Sequence, residues 1–196
     1  RCGMIGRLFL LELRHWLKQP MVYIFFFLFA LLSYLSIVID EVQVGAELAN
    51  VKYNAPYKVF VYYSVLAFFG LLVVTAFVNA SAIRDFTYNT QQIMFSTPLK
   101  KRHYLLSRFL GSTFIATLPM LGVSLGIIVG SWMWWLDPEN IGPNSLVAHL
   151  QAYLYLTLPN ILFSAAIIFS VAILVRSTAA AFITAVVIMV GNGVAG

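Results

Sequence analysis

The run MVYIFFFLFALLSYLSIVI, residues 21–39, places 19 residues in a row without one charge. At 1.5 Å per residue such a helix is roughly 28 Å long, close to the thickness of a hydrocarbon core of about 30 Å. Its uninterrupted centre, residues 24–32, shows no alternation of apolar and polar side chains, which argues for a helix rather than a strand of a membrane barrel. Four more apolar runs follow at 59–83, 109–136, 150–175 and 177–196. The expected fold is therefore all-α: a polytopic membrane protein forming one transmembrane domain over 1–196, with five spans.

Composition agrees. The chain has 196 residues, of which 61% are apolar and 10% charged, and its mean hydropathy is +0.89. Soluble domains carry about 25% charged residues, so this chain lacks the polar surface to cover a water-soluble globule. A secretory signal peptide would have an apolar region of about 7–15 residues followed by an A-x-A site, and 21–39 fits neither condition. The single Cys2 excludes an internal disulfide and a cysteine-based zinc site. The chain opens on Arg1 and stops inside an apolar run, which predicts a piece of a longer protein with a sixth span beyond residue 196.

Charge sets the expected direction. Ten of the twelve Lys and Arg residues fall in 1–20, in 84–108 or at Arg176, all on one side of a five-span layout. Loops 40–58 and 137–149 hold Asp40, Glu41, Glu47, Asp137 and Glu139. The positive-inside rule then places the N-terminus in the cytoplasm of a cell (inner) membrane. Because the basic residues cluster beside spans, the net charge of +5 is no nucleic-acid footprint. Trp132, Trp134 and Trp135 read as an aromatic anchor at the far interface.

Residues 4–19 predict an interfacial helix. Ile5, Leu8, Phe9, Leu13, Trp16 and Leu17 share one arc, and Arg7, Arg14 and Lys18 lie opposite, toward water and anionic headgroups. Pro20 ends it. Glu12 breaks the apolar arc; either it pairs with His15 at i+3, or this face meets protein and offers the carboxylate to a basic partner.

The polar passage RDFTYNTQQIMFSTPLKKRHYLLSR, residues 84–108, divides at Thr97-Pro98. Proline favours the first turn of a helix and Thr97 suits an N-cap, so 98–108 is expected to run as a helix into the third span. Residues 84–97 form a separate element of mixed, mostly uncharged polarity, suited to docking in a protein cleft. An interfacial loop whose charges only set topology would share its composition.

Arg84-Asp85, then Thr90, then Ser96-Thr97-Pro98-Leu99, then Tyr104-Leu105 with Arg108 follow the order seen in a known group. The pattern, with the basic N-terminal helix and two spans before it, resembles the permease subunits of type-2 class ABC exporters. Asn89 and Gln92 depart from it, standing where glycine and glutamate are usual. The resemblance implies that Arg84, Asp85, Thr90, Gln92, Ile93, Met94, Phe95, Thr97 and Pro98 form a coupling segment that fits a cytosolic ABC ATPase subunit. The N-terminal helix, with Arg7, Glu12, Arg14, Trp16 and Lys18, would be the connecting helix beside it. A second permease half, as homo- or heterodimer, is implied as a further partner.

No G-x-x-x-x-G-K-[ST] phosphate loop occurs in the chain. ATP and Mg²⁺ are therefore expected on the partner, with no cofactor held by this chain. His15, His103 and His149 are dispersed, so no metal site is expected, and no nucleophile–base set implies catalysis. The spans lack internal charge, which disfavours a proton-coupled carrier. Gly122, Gly126 and Gly130 predict close helix packing in the third span, and Pro159 predicts a kink in the fourth. The reading that follows is the transmembrane part of an ATP-driven exporter working by alternating access. A non-transport scaffold that recruits a cytosolic partner, or an ATP-independent channel or secondary transporter, shares the same topology.

Overall fold

A computed structural model describes residues 2–39, 51–88, 101–134, 136, 139 and 141–195. The elements in chain order are α1 (Cys2–Leu17), α2 (Pro20–Val38), α3 (Pro56–Thr87), α4 (Lys101–Thr117), a 3-10 turn (Leu118–Met120), α5 (Leu121–Gly130), α6 (Leu146–Gln151), a π turn (Ala152–Thr157), α7 (Leu158–Val175) and α8 (Thr178–Ala195). Among the described residues every regular element is helical. Four stretches are long and apolar enough to cross a membrane: Pro20–Val38, Pro56–Arg84, Lys101–Gly130 and Leu146–Val175. They make the chain a membrane protein in character. The fifth apolar run forms α8, whose stretch Thr178–Gly191 is a shorter apolar helix.

Helix ends follow local chemistry. Pro20 and Pro56 open α2 and α3, where a missing N–H costs nothing and a fixed φ helps. Ser145 caps α6 by accepting from the Ala148 N–H at 3.4 Å. That cap starts the fourth apolar helix at Leu146, four residues before the start read from the apolar run, and moves His149 from a loop into a helix. The third apolar helix ends at Gly130, short of the expected 136, and Trp132 and Trp134 follow it exposed. Trp135 lies outside the described residues. The N-cap assigned to Thr97, with Pro98, also lies outside them.

Two long helices change pitch beside prolines. Pro119 sits in the 3-10 turn between α4 and α5. Pro159 follows the π turn, where the Leu158 N–H bonds the Tyr153 carbonyl five residues back. Proline has no N–H for the i−4 carbonyl and its ring crowds that oxygen, so a widened turn ahead of Pro159 takes the place of a regular one. The Tyr153 hydroxyl donates to the Thr117 carbonyl at 3.2 Å, a short step before Pro119.

The chain folds as two compact units. The first comprises residues 1–20, 71–116 and 161–196. In it Trp16 meets Phe77 edge-on with ring centroids 5.1 Å apart, and Phe109 meets Phe169 at 5.4 Å. The second comprises 21–70 and 117–160. There α5 lies against α2 through Gly122, Gly126 and Gly130. A Cβ added at Gly122 would stand 2.2 Å from the Phe26 carbonyl oxygen, and one at Gly126 would stand 2.2 Å from that of Ala30. Only glycine permits backbones this close, and dispersion and weak Cα–H···O contacts then replace the hydrophobic effect that lipid surroundings remove. Asn54 braces the end of this unit, donating to the Gly142 carbonyl and to Asn144 Oδ1 while its own carbonyl oxygen accepts from the Gly142 N–H.

Gly126→Ala is expected to force α2 and α5 apart and to cost about 1–3 kcal/mol, the usual range for overpacking. Gly191→Ala, where nothing lies within 4 Å, is the control and should leave stability unchanged or slightly raised through helix propensity. Unfolding midpoints of the two purified variants check this; equal midpoints would remove the close-packing account.

Candidate functional site

The most polar buried place in the first unit is built around Glu12. Position 12 falls on the arc of α1 that carries Trp16 at i+4, so the helix points both side chains the same way. Glu12 is 5% and Trp16 8% exposed. Glu12 Oε1 accepts from Trp16 Nε1 at 3.1 Å and from Ser81 Oγ at 2.5 Å. Oε2 accepts from Arg84 Nη2 at 2.6 Å, closing an ion pair. Ser81 also offers its carbonyl oxygen, which accepts from Arg108 Nη1 at 2.6 Å. The Arg108 guanidinium stands over the Tyr104 ring, 4.8 Å from its centroid.

Three helices therefore converge on one carboxylate. Ser81 and Arg84 belong to the last turns of α3, Arg108 to α4, and Glu12 to α1. Gly111 on α4 makes room for this approach, since a Cβ there would lie 2.8 Å from Glu12 Cγ. A buried carboxylate without partners would be expelled or protonated; here both oxygens are bonded, one of them by a charged donor. Arg84 pairs with the acid and Arg108 is held at the Ser81 carbonyl beside it, so the cluster has two arginines and one carboxylate. Arg84 Nη1 is buried and has no hydrogen-bond partner among the described residues.

This geometry corrects the sequence reading of α1. Of the two readings of Glu12, the one in which this face meets protein and the carboxylate meets a basic partner holds: Glu12 pairs with Arg84 of its own chain and not with His15. Trp16, expected on a membrane-facing surface, is packed under Phe77. The arc with Leu8, Phe9 and Leu13 is half-buried, and Phe9 meets Phe114 of α4 edge-on at 6.3 Å. Arg7, Arg14 and Lys18 do lie exposed. His15 is exposed, edge-on to Trp16 at 5.6 Å. Its imidazole is held below its ordinary pKa by partial burial first and by the Arg84 charge next; Glu12 opposes the shift and Arg108 adds to it.

Of the coupling residues read from the sequence, Arg84 is in this cluster. Asp85 occupies the last helical turn of α3. Thr90, Gln92, Ile93, Met94, Phe95, Thr97 and Pro98 lie outside the described residues. The cluster thus sits at the end of α3 and about two turns into α4, the two helices that bracket the segment.

The second unit holds a polar chain that sequence reading missed. Tyr63 OH and Ser124 Oγ are 2.7 Å apart, and Ser124 Oγ is 3.0 Å from His149 Nδ1. His149 Nε2 is buried without a partner among the described residues. Pro143-Asn144-Ser145 ahead of an apolar run was the available signal, a helix start that would have brought His149 onto the helix. Most other hydroxyls in the long helices bond their own i−4 carbonyls: Ser33, Ser36, Ser64, Thr75, Ser112, Ser170 and Thr184. Such local bonds need no second helix and give no site. Among the described residues no three His, Cys, Asp or Glu side chains group as a metal site.

No protein-family model, curated protein or solved structure matches this chain.

Removing either member of the Glu12–Arg84 pair leaves a buried charge uncompensated, a loss of about 3–5 kcal/mol for a well-buried pair and less here because Arg84 is 24% exposed. The double variant E12Q/R84Q is expected to cost less than the sum of its singles, and additivity in unfolding midpoints would contradict the coupling. Proton titration of His15 by NMR offers a second readout. Its pKa should fall further in E12Q and rise in Arg84→Gln. With the folded pKa below the unfolded value of about 6.5, the contribution of neutral His15 is present above that pH and is lost as pH falls through the folded pKa.

Proposed function

We propose that this chain is the transmembrane part of an ATP-driven exporter of the type-2 ABC class. In this reading its N-terminus is cytoplasmic, α1 lies at the cytoplasmic surface of the cell (inner) membrane, and α8 makes a fifth crossing. Residues 84–97 dock on a separate ATPase subunit that binds ATP and Mg²⁺. A second permease half completes the transport path, and alternating inward and outward openings move the substrate. The support is the motif order in 84–108, the four long apolar helices, and the basic residues gathered at one set of helix ends.

The observation that carries the proposal furthest is the Glu12–Arg84 cluster. A force delivered to residues 84–97 by a soluble motor needs a stiff path into the spans. Arg84 stands at the start of that segment and Arg108 in α4 beyond it, and both are tied to Ser81 or to Glu12. A charge-assisted bond at 2.6 Å resists separation more than a sliding apolar contact does. Movement of the segment would therefore be transmitted to α1, α3 and α4 as a body.

The test is co-purification with an ATPase. Asp85→Ala, Met94→Ala and Phe95→Ala are expected to weaken retention of the ATPase and to lower its stimulation by the membrane subunit, while E12Q lowers stimulation more than retention. Unchanged association and unchanged stimulation in all of them would remove the coupling role. Stable ATPase-independent recruitment of another soluble protein by the same residues would instead support a scaffold.

A further inference from the structure

Protein contacts use up the arc of α1 that its composition marks as apolar. Glu12 and Trp16 are buried, and Leu8, Phe9 and Leu13 are half-buried. The face left over is a different one. Arg7 and Arg14 lie within about 20° of one another at 100° per residue, Lys18 follows in the turn directly after α1, and all three are exposed. Leu10 and Leu17, 62% and 42% exposed, line one edge of this stripe, and Leu11, 62% exposed, lines the other. α1 has a single carboxylate, Glu12, and Arg84 holds it inside. The exposed face therefore carries three positive charges and no negative one.

We propose that this stripe is a preformed docking surface for acidic lipid headgroups. Arg7, Arg14 and Lys18 lie in the phosphate layer, with Leu10 and Leu17 dipping into the acyl boundary beneath. The proposal rests on the reading above that α1 lies at the membrane surface, and it changes what holds the helix there. An isolated amphipathic helix is held by its apolar arc and rotates to suit the lipid. Here the Glu12 bonds fix the rotation from inside, so lipid meets a set orientation and the contact depends on charge more than on apolar area.

Charge and layering together select the occupant. A row of cations with leucines along its edge matches a medium whose negative layer overlies hydrocarbon within a few ångströms, and the long Arg and Lys stems can bridge the two depths. A soluble acidic protein would meet the charges but leave the leucine edges wet. Each basic residue near an acidic membrane surface contributes roughly a fivefold preference.

The purified chain, without any ATPase, is to be placed in nanodiscs of phosphatidylcholine alone or mixed with phosphatidylglycerol. Thermal midpoints and the lipids retained on release, weighed by native mass spectrometry, are the readouts. Wild type should melt higher in the mixed discs and retain phosphatidylglycerol preferentially. R7Q/R14Q/K18Q should lose that preference yet melt like wild type in phosphatidylcholine, and the single variant R14Q should show about a fivefold smaller preference. Leu10→Ser with Leu17→Ser should weaken retention of both lipids alike.

The proposal is overturned by equal preference in wild type and the triple variant, or by a wild type with none. It is also overturned if free glycerol phosphate reproduces the stabilisation, which would make the stripe a site for a soluble anion. A dimer that disappears in the triple variant without any lipid effect would assign the stripe to a second copy of the chain. Because no ATPase is in the sample, loss of the lipid preference leaves the exporter reading standing. An absent ATPase likewise leaves the lipid result intact.

Discussion

One buried carboxylate sets the arrangement of the first unit. Burying the Glu12 carboxylate among apolar helices is costly unless its oxygens are bonded, and the groups that bond them come from α1 itself and from α3. Arg108 joins α4 to the same turn of α3 through the Ser81 carbonyl. Once those bonds form, the rotation of α1 about its axis is no longer free. Trp16 must lie on Phe77, Gly111 must be a residue without a Cβ, and Arg7, Arg14 and Lys18 must point away. A hydrophobic interface would have tolerated rotation or sliding; a directional, charge-assisted bond does not.

The second unit relies on the opposite device. Its α2–α5 contact has no charge in it, and closeness is reached by removing side chains altogether at Gly122 and Gly126. Several polar bonds stand where the helices lose regular geometry. Tyr153 reaches the Thr117 carbonyl between the π turn and the 3-10 turn, and Asn54 and Asn144 secure the 141–145 stretch. The Tyr63–Ser124–His149 chain adds a buried polar line between α3, α5 and α6. A polar bond among apolar helices has no competing water and so persists where it forms, although its net value in lipid is modest.

Much of this was legible from residue order. Long charge-free runs give helices because a backbone in an apolar medium must satisfy its own N–H and C=O groups. The i, i+4, i+8 spacing of Gly122, Gly126 and Gly130 marked a close-packing face, and Pro159 marked a departure from regular pitch. Glu12 stood out as a carboxylate inside an apolar arc. Its partner could not be read, because Arg84 lies 72 residues away and the nearer His15 and the exposed arginines are equally basic. His149 lies on a helix for a local reason that the apolar run does not show: the Ser145 cap starts the helix at Leu146, ahead of that run.

By itself the sequence determined what is decided within a few residues. That covers which stretches are helical, four of the five runs read as membrane-crossing, and where prolines begin or bend helices. Each of these depends on backbone hydrogen bonding and side-chain size over one or two turns. Only the tertiary structure decided which face of α1 is buried, which cation neutralises Glu12, and which helix fills the glycine groove. Those choices depend on atoms from separate elements meeting at bonding distance, and no local period encodes that approach. The same buried face that composition would assign to lipid is the one the fold keeps for itself.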